Sequence, residues 1–270
     1  MSTRSYPSPS SVWPLNSVNP GYELISGSSS AHIGCDVTSG NAISQSTGYT
    51  PIAFTGSSYS TIDVAMIPGT SFSDFTVALT FKVNSLGSGT LFHLRQDDST
   101  VDTSMSMIKD IILSYKVSGS KLTVLGQNGE ILGDFSVPAI VTSANVGQWI
   151  SVAIAYDLSK PEFKVITSSG VREAFILAGG QRPIGQPWTI RLGGPMAGVT
   201  TPMFAGQMIC LAVYNGKLGD SDLNQYADEC SSSKLPSPYP TQQGKTNKQT
   251  NKQTNKHCFI LIIIKQRNLT

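Results

Sequence analysis

Charged residues are scarce in this sequence, since Asp, Glu, Lys and Arg make up only 13% of its 270 residues. This share is about half of that in ordinary soluble domains. Ser and Thr together number 60, with 25 Gly and 15 Pro, a composition that excludes a coiled coil and disfavours an all-helical bundle. The length suits one large all-β domain, or two small ones, with a core that needs no metal or dense disulfide framework.

The sequence also lacks a strong excess of either charge, with a formal net charge of +2. The charge is unevenly distributed. Seven Lys or Arg and no acid follow Cys230, whereas the first 230 residues contain 12 basic and 17 acidic residues and carry a net charge of −5. Because this main part of the chain is mildly acidic, nucleic-acid binding is disfavoured.

Long apolar runs are absent as well. The apolar run at 258–264 has only seven residues, against about 20 for a transmembrane helix. A lipid-anchor signal is not predicted, since it needs about 10 to 20 uninterrupted apolar residues at the end. The first 16 residues are polar and interrupted by three prolines, without the apolar run of about 7 to 15 residues of a signal peptide. Neither membrane insertion nor secretion is therefore predicted from these segments.

The C-terminal region contains a four-residue repeat. Thr-Asn-Lys-Gln occurs at 246–249 and 250–253 and begins again at 254. An ACAA tetranucleotide repeat read in triplets encodes this peptide, so one hypothesis is translated non-coding DNA; the alternative is a genuine polar linker. Neither forms a packed core. We predict flexible ends at 1–10 and 231–270, the second being a low-complexity basic tail, and one domain over 11–230.

Metal-binding patterns of cysteine and histidine are lacking too. The four cysteines form no Cys-x-x-Cys pair and the three histidines do not cluster, so no zinc site is predicted. Cys210 and Cys230 lie in organised sequence at a short separation, and we predict a disulfide between them that stabilises the fold by roughly 3 kcal/mol. Cys35 is a partly buried free thiol, or pairs with a cysteine of a missing segment.

What the sequence does contain is a series of short β-like runs between about residues 51 and 215. Several alternate apolar and polar residues, and Gly, Asn or Ser turn signals separate them. Short connections favour antiparallel pairing of neighbouring strands. We therefore predict that the strands form two packed sheets, as in a β-sandwich or jelly roll. One short helix is predicted from Asp220 or Ser221 through Asp228, leading Cys230 back toward Cys210. The predicted strands are 52–55, 59–65, 75–83, 90–95, 105–116, 121–125, 131–135, 149–156, 162–167, 171–176, 188–192 and 203–214.

Catalytic patterns are weak. A retaining glycosidase needs two carboxyl groups about 5 to 5.5 Å apart, yet none of the five glutamates has an acid two residues away on a predicted strand. Acidic residues that are far apart in the sequence can still lie close together in the fold, so a glycan hydrolase or lyase stays an alternative. His93 is the only histidine within the predicted strands, and no Ser-His-Asp set follows from it alone. Asp97 and Asp98 form an acidic loop that either binds Ca²⁺ or is simply solvated.

Several segments, taken in order, resemble laminin-G-like domains of the concanavalin-A-like lectin/glucanase superfamily. The resemblance covers about residues 12 to 230. Its last segment is the most specific, a strand that ends in Leu-Ala-Val-Tyr-Asn and leads into a helix. The segments are Trp-Pro-Leu at 13–15, Ile-Ala-Phe-Thr-Gly at 52–56, the strand at 72–83, Gly-Thr-Leu-Phe at 89–92, Gly-Gln-Trp-Ile-Ser-Val at 147–152, and 204–215 followed by Leu218, Leu223 and Cys230.

The resemblance implies an extracellular, non-catalytic binding or adhesion module, monomeric within a larger protein, that recognises a glycan or an extracellular protein through loops at the sandwich rim. A purely structural module is a further alternative. Some members of this superfamily bind Ca²⁺ at the rim, and here the resemblance points to Asp110, with Asp97 or Asp98 as partner. Trp149 is interpreted as a core residue because Val152 and Ile154 follow it, with a sugar-stacking platform as the alternative.

Overall fold

The computed structural model describes residues 8–29, 32–35, 38–39, 50–57, 59–64, 74–96, 107–126, 128–177, 182–183 and 188–219, with single residues or pairs at 222, 226, 230, 236–237 and 239–240. Nearly all regular structure in these residues is β. The strands are β1 Ser11–Trp13, β2 Tyr22–Glu23, β3 Ser28–Ser29, β4 His32–Cys35, β5 Thr38–Ser39, β6 Ile52–Thr55, β7 Tyr59–Val64, β8 Phe75–Lys82, β9 Ser88–Gln96, β10 Met107–Lys116, β11 Ser120–Gly126, β12 Ile131–Val137, β13 Ile150–Asp157, β14 Glu162–Thr167, β15 Arg172–Ile176, β16 Arg182–Pro183, β17 Trp188–Leu192 and β18 Ala205–Tyr214.

All of these strands except β2 and β3, which pair only with each other, lie in two large sheets. The first has the order β15-β14-β13-β8-β18-β6-β5, with β1 also paired to β18. The second has the order β12-β11-β10-β9-β17-β7-β4, and β16 pairs with β10. Apart from the parallel β10–β16 pair, neighbouring strands are antiparallel, so the predicted all-β sandwich of two antiparallel sheets is confirmed. No helix in the described part of the chain is long and apolar enough to cross a membrane.

The core lies between the two sheets. The predicted buried face of β8 is confirmed, since Phe75, Val77, Leu79 and Phe81 all belong to one large apolar cluster. Phe204 contacts Phe81 edge-on, with 6.0 Å between ring centroids. Burying each of these aromatic side chains contributes on the order of 2 to 3 kcal/mol. The twelve predicted strands match β6 to β15, β17 and β18 closely, whereas β1 to β5 and β16 were not predicted. Apart from β4, these have only two or three residues, too few to show a periodic pattern.

The interpretation of Trp149 as a core residue was wrong. Trp149 precedes β13 and is half-buried, and the Lys82 ammonium lies 5.0 Å from its ring centroid. In a strand, successive side chains point to opposite faces. The core residues of β13 are Ile150, Val152 and Ile154, which are even-numbered, so an odd-numbered tryptophan does not share their face.

The middle of the outer face of the first sheet is covered by the chain's own apolar side chains. Residues from β1, β8, β13 and β18 pack there with Tyr226 and Leu218 in a second, smaller cluster. The predicted disulfide is confirmed, with the Cα atoms of Cys210 and Cys230 5.7 Å apart. Of the predicted helix, only Asp222 and Tyr226 lie within the described residues. The Tyr226 N–H donates to the Asp222 carbonyl oxygen at 3.0 Å, and the Tyr226 hydroxyl donates to the Cys210 carbonyl oxygen.

Candidate functional site

The outer face of the second sheet carries charged and polar side chains from β9, β10 and β17. On β9, Phe92 and Leu94 point into the core, so the intervening His93 and the following Arg95 point outward. Register pairs His93 with Arg191 of β17 and Arg95 with Asp110 of β10. We call this outer surface the polar face; its members include His93, Arg95, Asp110, Thr123 and Arg191.

Asp110 lies on this face because Ile111, Leu113 and Tyr115, which follow it in β10, alternate into the core. β10 is irregular just before Asp110. Ile108 and Ile111 both lie in the core, although residues three apart in a regular strand point to opposite sides. The register of β10 shifts between Ile108 and Asp110, which is the behaviour of a β-bulge. Asp110 therefore shares the outer face with Ile112, the cross-strand partner of His93.

Asp110 accepts hydrogen bonds from two neighbours. Its Oδ1 lies 2.7 Å from His93 Nε2 and 2.6 Å from Arg95 Nε, and its Oδ2 lies 3.3 Å from Arg95 Nη2. Burial alone would raise the pKa of Asp110, but the hydrogen bonds from His93 and Arg95 hold that pKa below its usual value. The side chains of His93 and Asp110 are 0% and 4% exposed, against 23% for Arg95. The cluster is thus an almost buried carboxylate with a partly accessible guanidinium.

The same side chains hold the loop that follows β17, which we call the 193–200 loop. The backbone groups of three successive residues of this loop form hydrogen bonds to these side chains. Arg191 Nη1 donates to the Pro195 carbonyl oxygen at 3.0 Å, and the Met196 N–H donates to His93 Nδ1 at 2.9 Å. Arg95 Nη1 donates to the Ala197 carbonyl oxygen at 2.9 Å. The loop therefore lies against the polar face.

Arg191 also contacts an aromatic ring, because its guanidinium carbon lies 4.2 Å from the ring centroid of Tyr59. Burial lowers the pKa of Arg191, and the positive charge of Arg95 lowers it further. Toward the sheet edge, Thr123 Oγ1 donates to Asp134 Oδ1 at 3.2 Å, and Lys121 forms an exposed ion pair with Asp134. Guanidinium donors and hydroxyls are groups that bind polar ligands such as sugars.

Of the residues predicted to bind Ca²⁺, the structure describes only Asp110, since Asp97 and Asp98 lie outside the described residues. Both Asp110 oxygens are within hydrogen-bonding distance of Arg95. Within the described ranges, no three or more His, Cys, Asp or Glu side chains form a group able to hold a metal ion. Ca²⁺ binding stays a prediction.

One carboxylate neighbourhood was missed by the sequence analysis. Asp157 and Glu162 occupy directly paired positions on β13 and β14, five residues apart across a turn. The Lys217 ammonium and the Ser159 hydroxyl donate to Asp157 and lower its pKa to about 2. Asp157 is therefore an ionised, ion-paired carboxylate. The search for acids at alternate positions on one strand could not find a pair that arises between two strands.

Comparison with known proteins supports the fold. No protein-family model and no curated protein sequence matches this chain. Among solved structures, the chain is similar to domain 4 of AbnA, an extracellular GH43 arabinanase from Geobacillus stearothermophilus, solved with arabinotriose (15% identity, 83% of this chain and 100% of that chain covered, TM-score 0.56). It is also similar to the ligand-binding domain of botulinum neurotoxin serotype D, solved with N-acetylneuraminic acid (14% identity, 82% and 51% covered, TM-score 0.55). Both are β-sandwich domains, as is this chain.

Proposed function

We propose that residues 11–230 form a non-catalytic glycan-binding module whose ligand binds on the polar face of the second sheet. The observation that carries this proposal is the contrast between the two outer faces. The first is covered over its middle strands, β1, β8, β13 and β18, by an apolar cluster that includes Tyr226 and the disulfide. The second presents Arg95, Arg191 and Thr123, each partly exposed, and these supply hydrogen-bond donors and a hydroxyl for sugar oxygens.

The similar structures support a glycan as the ligand. The arabinanase domain was solved with arabinotriose, and the neurotoxin domain with N-acetylneuraminic acid. The laminin-G-like resemblance supports the same class of module, working as part of a larger extracellular protein. The Cys210–Cys230 disulfide agrees with that location, because disulfides persist in oxidising compartments.

The experiment is a glycan array probed with residues 11–230 at neutral pH. Thr123→Trp places a bulky ring on the polar face and should abolish binding. Ala174→Trp is the matched control, because Ala174 is an exposed strand residue whose partner is Lys164 in the first sheet. Equal loss in both variants, or no binding by the unmodified domain, would contradict the proposal. Binding to extracellular protein instead of glycan would favour an adhesion module.

The non-catalytic role has its own test. Any glycan that binds is incubated with the domain, and new reducing ends or unsaturated products are measured. We expect none. Release of product that disappears in Asp157→Asn or Glu162→Gln would instead favour the alternative of a glycan hydrolase or lyase, because those two carboxylates are paired across β13 and β14.

A further inference from the structure

One end of the sandwich has no acidic side chain in its described loops. Five of these loops follow β8, β10, β12, β14 and β17, and none of the five contains Asp or Glu. Acids lie instead at the opposite ends of β8, β12, β13 and β14, namely Asp74, Glu130, Asp157 and Glu162. Charge is therefore distributed unevenly along the strand direction. The five loops are 83–87, 117–119, 138–149, 168–171 and 193–204.

Basic side chains lie at this end. Lys82 is the last residue of β8, Lys116 is the last of β10, and Arg172 is the first of β15. Lys116 and Arg172 are exposed, and Lys82 is partly exposed. Neither lysine forms an ion pair with a described acid. This end is therefore a positively charged surface on a domain whose first 230 residues carry a net charge of −5.

Two exposed apolar side chains lie in turns at the same end. Leu86 is 48% exposed and Val117 is 45% exposed. The two turns lie side by side, because the Val117 N–H donates to the Gly87 carbonyl oxygen at 3.1 Å. Turns usually contain polar residues, glycine or proline. Apolar side chains in adjoining turns, next to lysines, are typical of surfaces that contact a membrane.

Trp149 lies beside these turns. The Gly147 N–H donates to the Val83 carbonyl oxygen at 2.8 Å, which joins the loop before β13 to the turn that contains Leu86. Trp149 is partly exposed, and the Lys82 ammonium lies 5.0 Å from its ring centroid. Tryptophan favours the boundary between water and the bilayer interior, because its ring is apolar and its N–H is polar.

We propose that five residues, Lys82, Leu86, Lys116, Val117 and Trp149, form a docking surface for an anionic lipid bilayer. We call this surface the basic end. Its lysines attract the negatively charged headgroups. Leu86 and Val117 enter the boundary with the acyl chains, and Trp149 lies at the level of the headgroups. The polar face takes no part in this contact, so membrane docking does not depend on the proposed function.

Charge and apolar surface together favour a bilayer over a polyanionic glycan. The sulfate or carboxylate groups of such a glycan would also bind the lysines, but the glycan has no apolar layer for Leu86 and Val117. A bilayer has both, because anionic headgroups cover an apolar interior. Docking by the basic end also leaves the polar face accessible, since that face lies along the strands rather than at their ends.

The test uses the intrinsic fluorescence of the full chain. Of its three tryptophans, Trp13 and Trp188 are only 2% and 3% exposed, so Trp149 is the one that can meet lipid. The vesicles contain phosphatidylcholine and about 30% phosphatidylserine, with bromine on the phosphatidylcholine acyl chains as a short-range quencher. We expect a partial loss of fluorescence, at most the share of one tryptophan in three. Binding should weaken as salt rises.

Leu86→Ser together with Val117→Ser removes the apolar contact without changing the charge. This double variant should weaken vesicle binding by about tenfold or more. Ile131→Ser with Ile176→Ser is the matched control, because these isoleucines are 67% and 69% exposed and lie at the opposite end, at the start of β12 and the end of β15. The control should bind as the unmodified protein does.

The contribution of charge is measured with Lys116→Gln, which should also weaken binding to these vesicles. Lys160 is the control position, because it is an exposed lysine in the turn between β13 and β14 at the opposite end. Lys160→Gln should have no effect. The lipid and salt series of the unmodified protein decides the question even if a variant does not fold.

Several results would overturn the proposal. These are absence of quenching, equal quenching by vesicles without phosphatidylserine, and equal effects of the two double variants. Sedimentation with vesicles but without quenching would mean that the basic tail binds lipid and the basic end does not, since the tail contains no tryptophan. Heparin binding that is lost in Lys116→Gln, without quenching by vesicles, would assign the basic end to a polyanionic glycan instead.

Discussion

His93 and Asp110, 17 residues apart in the sequence, lie on neighbouring strands with Nε2 2.7 Å from Oδ1. Arg95 donates to the same carboxylate oxygen at 2.6 Å. The three side chains therefore form one nearly buried unit on the outer face of the second sheet. Because a buried charge without its partner is costly, the stability of this region depends on Asp110 more than on the exposed ion pairs of the same sheet.

Replacing Asp110 by Asn should lower the free energy of unfolding by about 3 kcal/mol, since Arg95 then has no compensating charge. Asp134→Asn is the matched control: its partner Lys121 is 52% exposed, and an exposed pair of this kind contributes less than about 1 kcal/mol. Urea unfolding near pH 7 measures both changes. If both variants lost the same free energy of unfolding, burial of the cluster would not determine how much it stabilises the domain.

The stability of the domain should decrease on mild acidification. Burial lowers the pKa of His93 below the usual value of 6.5, so below about pH 6.5 the unfolded chain binds a proton more readily than the folded one. The stability that the uncharged His93 provides is fully present above about pH 6.5. It is lost as the pH falls below this value, until His93 is also protonated in the folded state. Urea midpoints between about pH 8 and about pH 5 measure this, and His93→Asn should flatten the curve. A midpoint that is constant over this range in the unmodified protein would contradict the prediction.

The fold could be predicted because its signals are local. In β8, alternate apolar residues from Phe75 to Phe81 mark one buried face, and turn residues separate this strand from the next. These patterns need no knowledge of distant contacts. An alternating pattern cannot be recognised in strands of only two residues. Trp149 was assigned to the core wrongly because its odd-numbered position was not compared with the even-numbered core residues of β13.

The site could be predicted only in part. Alternation in β9 shows that His93 and Arg95 lie opposite Leu94, and this signal is present in the sequence. The partners of these two residues cannot be read from the sequence. His93 contacts Met196 at a sequence separation of 103, and this contact depends on the register of β17 against β9. The bulge before Asp110 brings Ile108 as well as Ile111 into the core, and no Gly, Pro or Asn in the sequence indicates it.

Removing the disulfide should destabilise the domain. Cys210–Cys230 closes a loop with a sequence separation of 20, and Cys230→Ser should lower the free energy of unfolding by about 3 kcal/mol through the entropy of the unfolded chain. A reductant should lower the stability of the unmodified protein by a similar amount and leave Cys230→Ser unchanged. Sensitivity of that variant to reductant would mean that another bond is responsible.

The Ca²⁺ prediction is tested by thermal unfolding with added ion and with chelator. A site with a dissociation constant of about 10 µM would add roughly 2.7 kcal/mol at about 1 mM Ca²⁺. If Asp110 is a ligand, the ion must displace Arg95 from its oxygens, so Asp110→Asn should remove the effect. Asp134→Asn serves as the control and should retain it. An unchanged melting temperature would contradict a tight Ca²⁺ site.

Gly193, at the start of the 193–200 loop, should tolerate no side chain. Its φ of +80° favours glycine, and a Cβ would lie 2.4 Å from the Phe54 ring. Gly198 in the same loop is the matched control, with a φ of +86° and no heavy atom within 4 Å of a Cβ. Gly198→Ala should cost about 1 kcal/mol for the backbone alone, whereas Gly193→Ala should cost roughly 1 to 3 kcal/mol more, because Phe54 is buried in the core and must shift. Urea unfolding of the two variants compares them directly, and equal costs would mean that the ring moves aside freely.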